Sequence, residues 1–329
     1  LLVRLEETDI LEFNGDDNCL SKIKEKICVT KAEVMREEPN VYMLDTCEFA
    51  LDDNEFESEE EIIRIDNICR ERLSIPKRTD VTAQPWILPD EEPKHIITMR
   101  FKVNSATEIQ DTLLAIERPK ETELWFNDKV IEVQEIGYFT DKSIKTIKIP
   151  KINAGENTLI VKMPFAEKTN LEWLYVLGEF DVKLVGTEKT IVPIDDNKGF
   201  GKVQYMGMPF YGGSLIYKSE FKTNANGDAY IRVGGFRGPV IKVFVDGKDV
   251  GIVAIQPYNI KVKGLNAGKH TIELKLYGNR CNSFNALHNA NTDHYWNGAI
   301  QWETEGEQWS YEYNLFDFGI LHGPVIEIR

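Results

Sequence analysis

INAGENTLIVKM, at residues 152–163, returns along the chain as LNAGKHTIELKL at residues 265–276. Upstream of each copy lies a second matched pair, LWFNDK at residues 124–129 and VFVDGK at residues 243–248. Two units that recur in the same order are the sequence signature of a duplicated architecture. The chain is therefore expected to contain two related bodies, each built around the same pair of segments.

Both units have the pattern of antiparallel β-structure. In the second copy Ile272, Leu274 and Leu276 alternate with polar residues, which is typical of a strand with one buried face. Asp246-Gly247, and less strongly Asn127-Asp128, predict a tight hairpin turn after the preceding strand. The unit is thus a hairpin followed by a long strand.

Many short strands at regular spacing predict a mainly β protein with two tandem sandwiches, preceded by a short β-rich segment and one connector helix. The helix is expected to open at Ser58, with Glu61 completing a capping box, and to end before Pro76. The predicted divisions are 1–57 as the β-rich tail of an upstream domain, 58–93 as the helix and an extended connector, 94–193 as the first sandwich and 194–329 as the second.

Composition excludes several classes of partner. The net charge of −15 argues against nucleic acid and anionic membranes, which bind clustered Lys and Arg. No apolar run approaches the ~20 residues that span a bilayer. The five cysteines lack close metal-ligand spacing, so we expect reduced thiols, a cytoplasmic location and no bound metal or cofactor. Because the chain opens at Leu1 without a methionine, we interpret it as a piece of a longer protein.

The duplicated unit resembles a known family of sandwiches. The hairpin at 244–248, Pro257-Tyr258 and the turn and strand at 268–276 are similar to the jelly-roll, galactose-binding-like sandwiches of glycoside hydrolase family 2. They resemble more closely the C-terminal sandwiches of family 106 α-L-rhamnosidases, which also have a helix followed by an entry like Gln84-Pro85-Trp86. The resemblance covers residues 84–329. It implies a non-catalytic C-terminal region of a larger glycoside hydrolase, beside a separate catalytic barrel.

Residues 278–308 interrupt the second sandwich with a long irregular stretch, and such stretches are usually functional. Aromatic rings offer a platform to the C–H face of a sugar, while Asn, Arg and His bond its hydroxyl groups. His288 and His294 lack the spacing of a metal pair. The predicted carbohydrate contacts are Trp296 or Trp302 as the platform, with Arg280, Asn282, Asn285 and His288 as polar contacts.

A structural role for the same stretch stays open at this point. Trp and Arg are also common anchors of packed interfaces, so the stretch can also be interpreted as a contact with a neighbouring domain. The alternation of Trp309, Tyr311 and Tyr313 with polar residues predicts a strand beyond it. The expected partner is therefore either a carbohydrate or an upstream catalytic domain, and the alternative function is a structural or protein-interaction module without a sugar ligand.

Overall fold

The structure is a computed structural model that describes residues 22–77, 92–291 and 302–329. In these ranges the chain is mainly β and forms two β-sandwiches. The helices are α1 (Ile62–Leu73) and α2 (Cys281–Phe284). The strands are β1 (Glu25–Cys28), β2 (Glu33–Arg36), β3 (Asn40–Leu44), β4 (Thr46–Leu51), β5 (Glu57–Glu61), β6 (His95–Ser105), β7 (Leu113–Glu117), β8 (Glu123–Phe126), β9 (Lys129–Val130), β10 (Glu135–Phe139), β11 (Asp141–Lys148), β12 (Gly155–Phe165), β13 (Leu174–Gly178), β14 (Asp181–Val185), β15 (Glu188–Val192), β16 (Leu215–Thr223), β17 (Gly227–Arg232), β18 (Phe236–Arg237), β19 (Ile241–Val245), β20 (Lys248–Val253), β21 (Asn259–Leu265), β22 (Gly268–Leu276), β23 (Gly319–Ile320) and β24 (Val325–Ile328).

The first sandwich consists of two sheets. A five-stranded sheet has the order β10-β11-β7-β13-β3, and the larger sheet has the order β14-β15-β6-β12-β8-β9, with β4 added along β6 and β5 paired to β4. Leu114 and Val176 of the first sheet share one buried cluster with Phe101, Phe126 and Leu159 of the second. The two sheets therefore pack face to face, and alternate residues of each long strand supply the core.

The second sandwich repeats this plan with fewer strands. One sheet has the order β1-β24-β17-β21 and the other has the order β2-β16-β22-β19-β20. Ile231 and Ile326 of the first sheet pack with Tyr217, Val243 and Leu274 of the second in a separate core. Each body thus has its own hydrophobic interior.

The repeated sequence unit occupies equivalent places in the two sandwiches. β12 lies between β6 and the β8–β9 hairpin, and β22 lies between β16 and the β19–β20 hairpin. Asn127 and Asp246 both have left-handed backbone angles, with φ of 48° and 51°. Each side chain accepts the backbone N–H of the neighbouring long strand, Thr158 and Thr271 respectively, at 2.9 Å. The predicted duplication and both predicted hairpin turns are confirmed.

Strands of the N-terminal segment belong to both sandwiches. β1 and β2 pair with β24 and β16 of the second sandwich, whereas β3 and β4 pair with β13 and β6 of the first. The described part of residues 1–57 is therefore integral to both bodies, which differs from the expected tail of an upstream domain. The partners lie far along the chain, so a reading of local pattern does not reveal these pairings.

Helix α1 begins later than the capping pattern predicts. Residues Glu57–Glu61 form β5 against β4, so Ser58 lies in a strand and is not the cap. Glu61 caps the helix instead, and its carboxylate accepts the backbone N–H of Arg64 at 3.1 Å. Strand pairing thus overrides a local helix preference. The predicted extended connector around residues 84–86 lies outside the described residues.

A polar seam joins the two sandwiches. Asp181 of β14 accepts Nη1 of Arg36, on β2, at 3.1 Å and Nζ of Lys198 at 2.6 Å. The amide of Asn40 donates to the backbone carbonyl groups of Phe180 and Gly207, at 2.9 and 2.8 Å. Asp181 and Asn40 are fully or almost fully buried, so this seam holds the bodies together by bonds that water does not compete for.

Two further findings concern the helices and the cysteines of the described residues. Neither described helix has the length and apolar composition that crossing a membrane requires. The four described cysteines, Cys28, Cys47, Cys69 and Cys281, carry free thiols. The cytoplasmic location stays a prediction.

Candidate functional site: a polar cavity beside the C-terminal connection

The long stretch singled out in the sequence crosses from the second sandwich onto the first. We call residues 277–318, between β22 and β23, the C-terminal connection. Tyr175 of β13 donates its hydroxyl to the carbonyl of Ser283 at 2.9 Å. Phe284 lies against the rings of Phe139 and Tyr175, with centroids 5.6 and 5.4 Å apart. Leu287 is buried in the first core. The connection is therefore packed on the neighbouring body.

Three of the predicted sugar contacts make bonds within the protein. The guanidinium of Arg280 forms an ion pair with Glu38. Asn282 is buried, and its amide donates to the carbonyl of Phe316 at 2.9 Å and accepts the N–H of Phe316 at 2.8 Å. The side-chain oxygen of Asn285 accepts the backbone N–H of Ala286 at 2.9 Å. These bonds shape the connection, and sugar contact by the three residues stays a prediction.

The predicted aromatic platforms have different outcomes. Trp302 stacks on Trp173 of the first sandwich, with ring centroids 5.1 Å apart. Trp296 lies outside the described residues. Trp309, Tyr311 and Tyr313 are in irregular structure, so the predicted strand is wrong there. Because no regular strand pairing runs along this part of the connection, the three side chains contact different partners.

His288 lies at the centre of the contact between the connection and the first sandwich. Its Nδ1 is 2.9 Å from the carbonyl oxygen of Ser310, and its Nε2 is 3.0 Å from a carboxylate oxygen of Asp45. Both neighbours are acceptors, so the protonated imidazole, which has two N–H donors, satisfies both bonds. Burial by itself lowers the pKa of His288, but the bond to Asp45 and the charges of Asp45 and Glu61 outweigh it and raise the pKa above 6.5.

Asp45 holds together a buried charge cluster, which we define as Asp45, Lys189, His288 and Tyr313. Lys189 of β15 and the hydroxyl of Tyr313, at 3.0 Å, both bond one oxygen of Asp45. The ammonium of Lys189 also donates to the Tyr313 hydroxyl at 2.8 Å. Burial opposes ionisation, but Lys189 and His288 hold the pKa of Asp45 well below its usual range. The cluster is an anion between two cations.

A second buried carboxylate supports the same contact from helix α1. Glu61 accepts the indole N–H of Trp173 at 2.7 Å, as well as the backbone N–H of Arg64. Burial raises the pKa of Glu61, and these bonds only partly offset the rise. Arg64 in turn lies over the ring of Trp309, 4.1 Å from its centroid, and donates to the carbonyl of Thr304. The helix N-terminus therefore anchors the far end of the connection.

A polar cavity of about 460 Å³ opens beside the charge cluster. Strands β3, β5 and β6, the β14–β15 turn and the connection all contribute to its wall. Its rings are Tyr42, which is 1% exposed, Tyr313, and Tyr311, which is 48% exposed. Lys189 brings the charge cluster to the cavity wall. The cavity thus combines a buried polar floor with an exposed tyrosine.

Hydrogen-bonding groups dominate the rest of the cavity wall. The carboxylates of Glu59, Glu60, Glu156 and Glu188 lie there with the ammonium of Lys102 and the amide of Asn104. Carboxylates accept bonds from hydroxyl groups, amides both donate and accept, and an exposed tyrosine ring covers an apolar face. This combination suits a ligand that is rich in hydroxyl groups.

Sequence reasoning missed most of this site. Asp45 directly follows the apolar run at residues 41–44, and that was the available signal. Lys189 and Glu188 carry no local signal, because their partners lie more distantly along the chain. His288 was selected from the sequence for sugar contact, and the structure places it against Asp45 behind the cavity.

Two other features of the described residues bear on the choice of site. A second cavity, of about 490 Å³, lies beside β16 and β22 on the second sandwich, but its described lining of charged, hydroxyl and aliphatic residues offers no aromatic platform. Within the described ranges, no three His, Cys, Asp or Glu side chains are grouped to hold a metal ion. The tyrosine-lined cavity is therefore the candidate site.

The charge of His288 makes the stability of the contact depend on pH. Because the pKa is higher in the folded protein than the ordinary 6.5, the stabilisation is complete below about pH 6.5 and is lost as pH rises through the folded pKa. We expect His288→Gln to lower the free energy of unfolding more at about pH 6 than at about pH 9. Urea denaturation at both pH values measures this, with the exposed His322→Gln as matched control. An equal loss at both pH values would contradict a protonated His288.

Comparison with known proteins gives structural neighbours only. No protein-family model and no curated protein matches the chain. A family 2 β-galacturonidase from Eisenbergiella tayi, bound to glycerol, is 24% identical over 45% of this chain and 22% of that chain, with a TM-score of 0.25. A rhamnosidase from Novosphingobium sp. PP1Y is 14% identical over 73% of this chain and 23% of that chain, with a TM-score of 0.29. An anti-sigma factor domain-containing protein from Clostridium clariflavum is 14% identical over 72% of this chain and 90% of that chain, with a TM-score of 0.22.

The chain spans less than a quarter of the length of the two glycosidases, 22% and 23%. The assignment of two sandwiches rests on the strand order, the register and the two cores described above.

Proposed function

We propose that this chain is a non-catalytic, carbohydrate-binding region of a larger glycoside hydrolase, and that the tyrosine-lined cavity holds the sugar. The observation that carries the proposal is the cavity itself, which places an exposed tyrosine ring beside carboxylate, ammonium and amide groups. The glycoside hydrolase part rests on the sequence resemblance. In that arrangement the two sandwiches support or extend an upstream catalytic barrel.

The chemistry of the cavity favours binding over hydrolysis. A glycosidase needs two carboxyl groups across a cleft, one of them with a pKa raised enough to act as the acid. Burial raises the pKa of Glu61, as such an acid requires. The carboxylate oxygens of Glu61 accept hydrogen bonds from the indole N–H of Trp173 and the backbone N–H of Arg64, and Glu61 does not line the cavity. We therefore assign the cavity a binding role.

Calorimetric titration with rhamnose- and galactose-containing oligosaccharides tests the proposal. Tyr311→Ala removes the exposed ring of the cavity and is expected to weaken binding by about two- to tenfold, since an aromatic contact contributes about 0.5–1.5 kcal/mol. Tyr205→Ala is the matched control, because Tyr205 is 82% exposed and lies outside the cavity. Binding that survives Tyr311→Ala unchanged, or the absence of heat with every sugar, would overturn the proposal.

A second candidate function is a structural or protein-interaction module without a sugar ligand. It is favoured by the inward bonds of the connection, where Asn282 is bonded at both ends of its amide and Trp302 is stacked on Trp173. The two functions differ in a simple measurement. Cross-linking to an upstream catalytic domain, together with a melting temperature that no oligosaccharide changes, would favour the structural role.

A further inference from the structure

Lys189 lines the cavity with unused hydrogen-bonding capacity. Its side chain is 7% exposed, and its ammonium group has three N–H donors. Among the described residues two acceptors bond it, a carboxylate oxygen of Asp45 and the hydroxyl of Tyr313. The ammonium also lies 5.9 Å from the ring of Tyr42, so one donor is left without an oxygen partner among the described residues. A buried donor without a partner costs free energy, so the site is suited to an oxygen acceptor supplied by a ligand.

The positive charge of Lys189 is nevertheless neutralised within the protein. Asp45 lies between Lys189 and His288, and it is the counter-ion of both. Lys102 is 3.9 Å from carboxylate oxygens of both Glu48 and Glu59. An anionic ligand would therefore meet no unpaired cation among the described residues of the wall.

The carboxylates of the wall are only partly neutralised. The carboxylate of Glu60 is paired with Arg64 at 3.0 Å, and Glu59 is near Lys102. Glu156 and Glu188 are exposed, line the same cavity, and have no ion pair with a described cation. The exposed part of the wall thus has an excess of negative charge. The buried part presents Lys189, a hydrogen-bond donor whose charge is neutralised by Asp45.

From these two features we infer that the cavity selects oligosaccharides that carry amino groups and rejects those that carry uronate groups. A sugar oxygen accepts the remaining donor of Lys189, while a protonated sugar amine lies among Glu156 and Glu188. A uronate in the same place faces like charges without a free cation. This selectivity rests on the proposed function, because it concerns the ligand of the same cavity.

Three probes of equal length and matched backbone test the inference: a glucosamine tetrasaccharide, its neutral glucose counterpart, and a glucuronate counterpart. They are titrated at a mildly acidic pH at which the sugar amine is protonated. We expect the amino sugar to bind about tenfold more tightly than the neutral sugar, because two exposed carboxylates contribute modest pair energies. The uronate should bind more weakly than the neutral sugar, and added salt should reduce both differences.

The variants separate charge from other contacts. Glu156→Gln with Glu188→Gln keeps the side-chain shape and should bring the amino and neutral sugars to about equal affinity. Glu123→Gln with Glu132→Gln is the matched control, since both residues are exposed and lie outside the cavity. It should leave the preference unchanged. All four positions are exposed, so circular dichroism is expected to show an unchanged fold.

The outcomes distinguish the inference from the proposed function. Equal or tighter binding of the uronate, or an amino preference that survives the double Glu156→Gln, Glu188→Gln variant, would overturn the charge selectivity and leave carbohydrate binding in place. Absence of binding by all three probes, and by the neutral oligosaccharides proposed above, would overturn both.

Discussion

Asp45→Asn is expected to lower the free energy of unfolding by about 3–5 kcal/mol, because it leaves buried cations without their counter-ion. Asp45 is 0% exposed, and its two carboxylate oxygens are bonded by Lys189 and Tyr313 on one side and by His288 on the other. Asparagine keeps the shape but removes the charge. Urea denaturation at neutral pH measures the loss.

The control and the coupling make this prediction specific. Asp53→Asn, in the exposed turn after β4, should change the free energy of unfolding by less than about 0.5 kcal/mol. Lys189→Met removes one of the stranded cations, so Asp45→Asn and Lys189→Met together should cost less than the sum of the two single changes. Additive losses would show that the two residues do not act as a pair.

Asp181→Asn is expected to weaken the coupling between the two sandwiches. The buried carboxylate of Asp181 pairs with Arg36 and Lys198, whose side chains are 10% and 7% exposed. Removing its charge should cost about 3 kcal/mol at the seam, since both cations lose an internal partner. The cores are separate, so the body with the weaker core should then unfold first.

The native fluorophores allow this to be measured directly. The described tryptophans Trp125 and Trp173 belong to the first sandwich, and Trp302 and Trp309 lie in the connection near it. In a background that carries Trp86→Phe and Trp296→Phe, tryptophan fluorescence therefore follows the first sandwich and the connection packed on it, while far-ultraviolet circular dichroism follows both sandwiches. The two urea transitions should coincide in that background and separate when Asp181→Asn is added. Asp196→Asn, at an exposed linker position, is the control. Coincident transitions in Asp181→Asn would contradict a coupling role for the seam.

The duplicated unit could be predicted because its determinants are local. Alternation of apolar and polar residues marks β12 and β22, and the turn residues at Asn127-Asp128 and Asp246-Gly247 mark the hairpins. The predicted start of helix α1 is wrong for the same reason, because a sequence pattern contains only local information. A capping pattern at Ser58 is visible in the sequence, whereas the pairing of β5 with β4 that displaces it depends on the assembled sheet.

The candidate site was predictable only in its neighbourhood. The irregular stretch at residues 278–308 includes His288, which bonds Asp45 at the contact with the first sandwich, but the connection residues that line the cavity, Tyr311 and Tyr313, lie beyond that stretch. The cavity wall, however, joins residues from β3, β5, β6, the β14–β15 turn and Tyr311. Residues from so many separate elements show no regular spacing in the sequence. The sequence pattern therefore indicated only the polar residues of one continuous stretch.

The sequence by itself determined the strand content, the two hairpin-and-strand units and the negative charge, since each follows from neighbouring residues or from composition. Only the tertiary structure decided that the N-terminal strands belong to both sandwiches and that Asp45 meets Lys189, 144 positions further along the chain. The physical reason is that strand pairing and buried ion pairing stabilise residues that are close in space, whatever their separation in the sequence. Distance along the chain affects mainly the entropy of closing the loop.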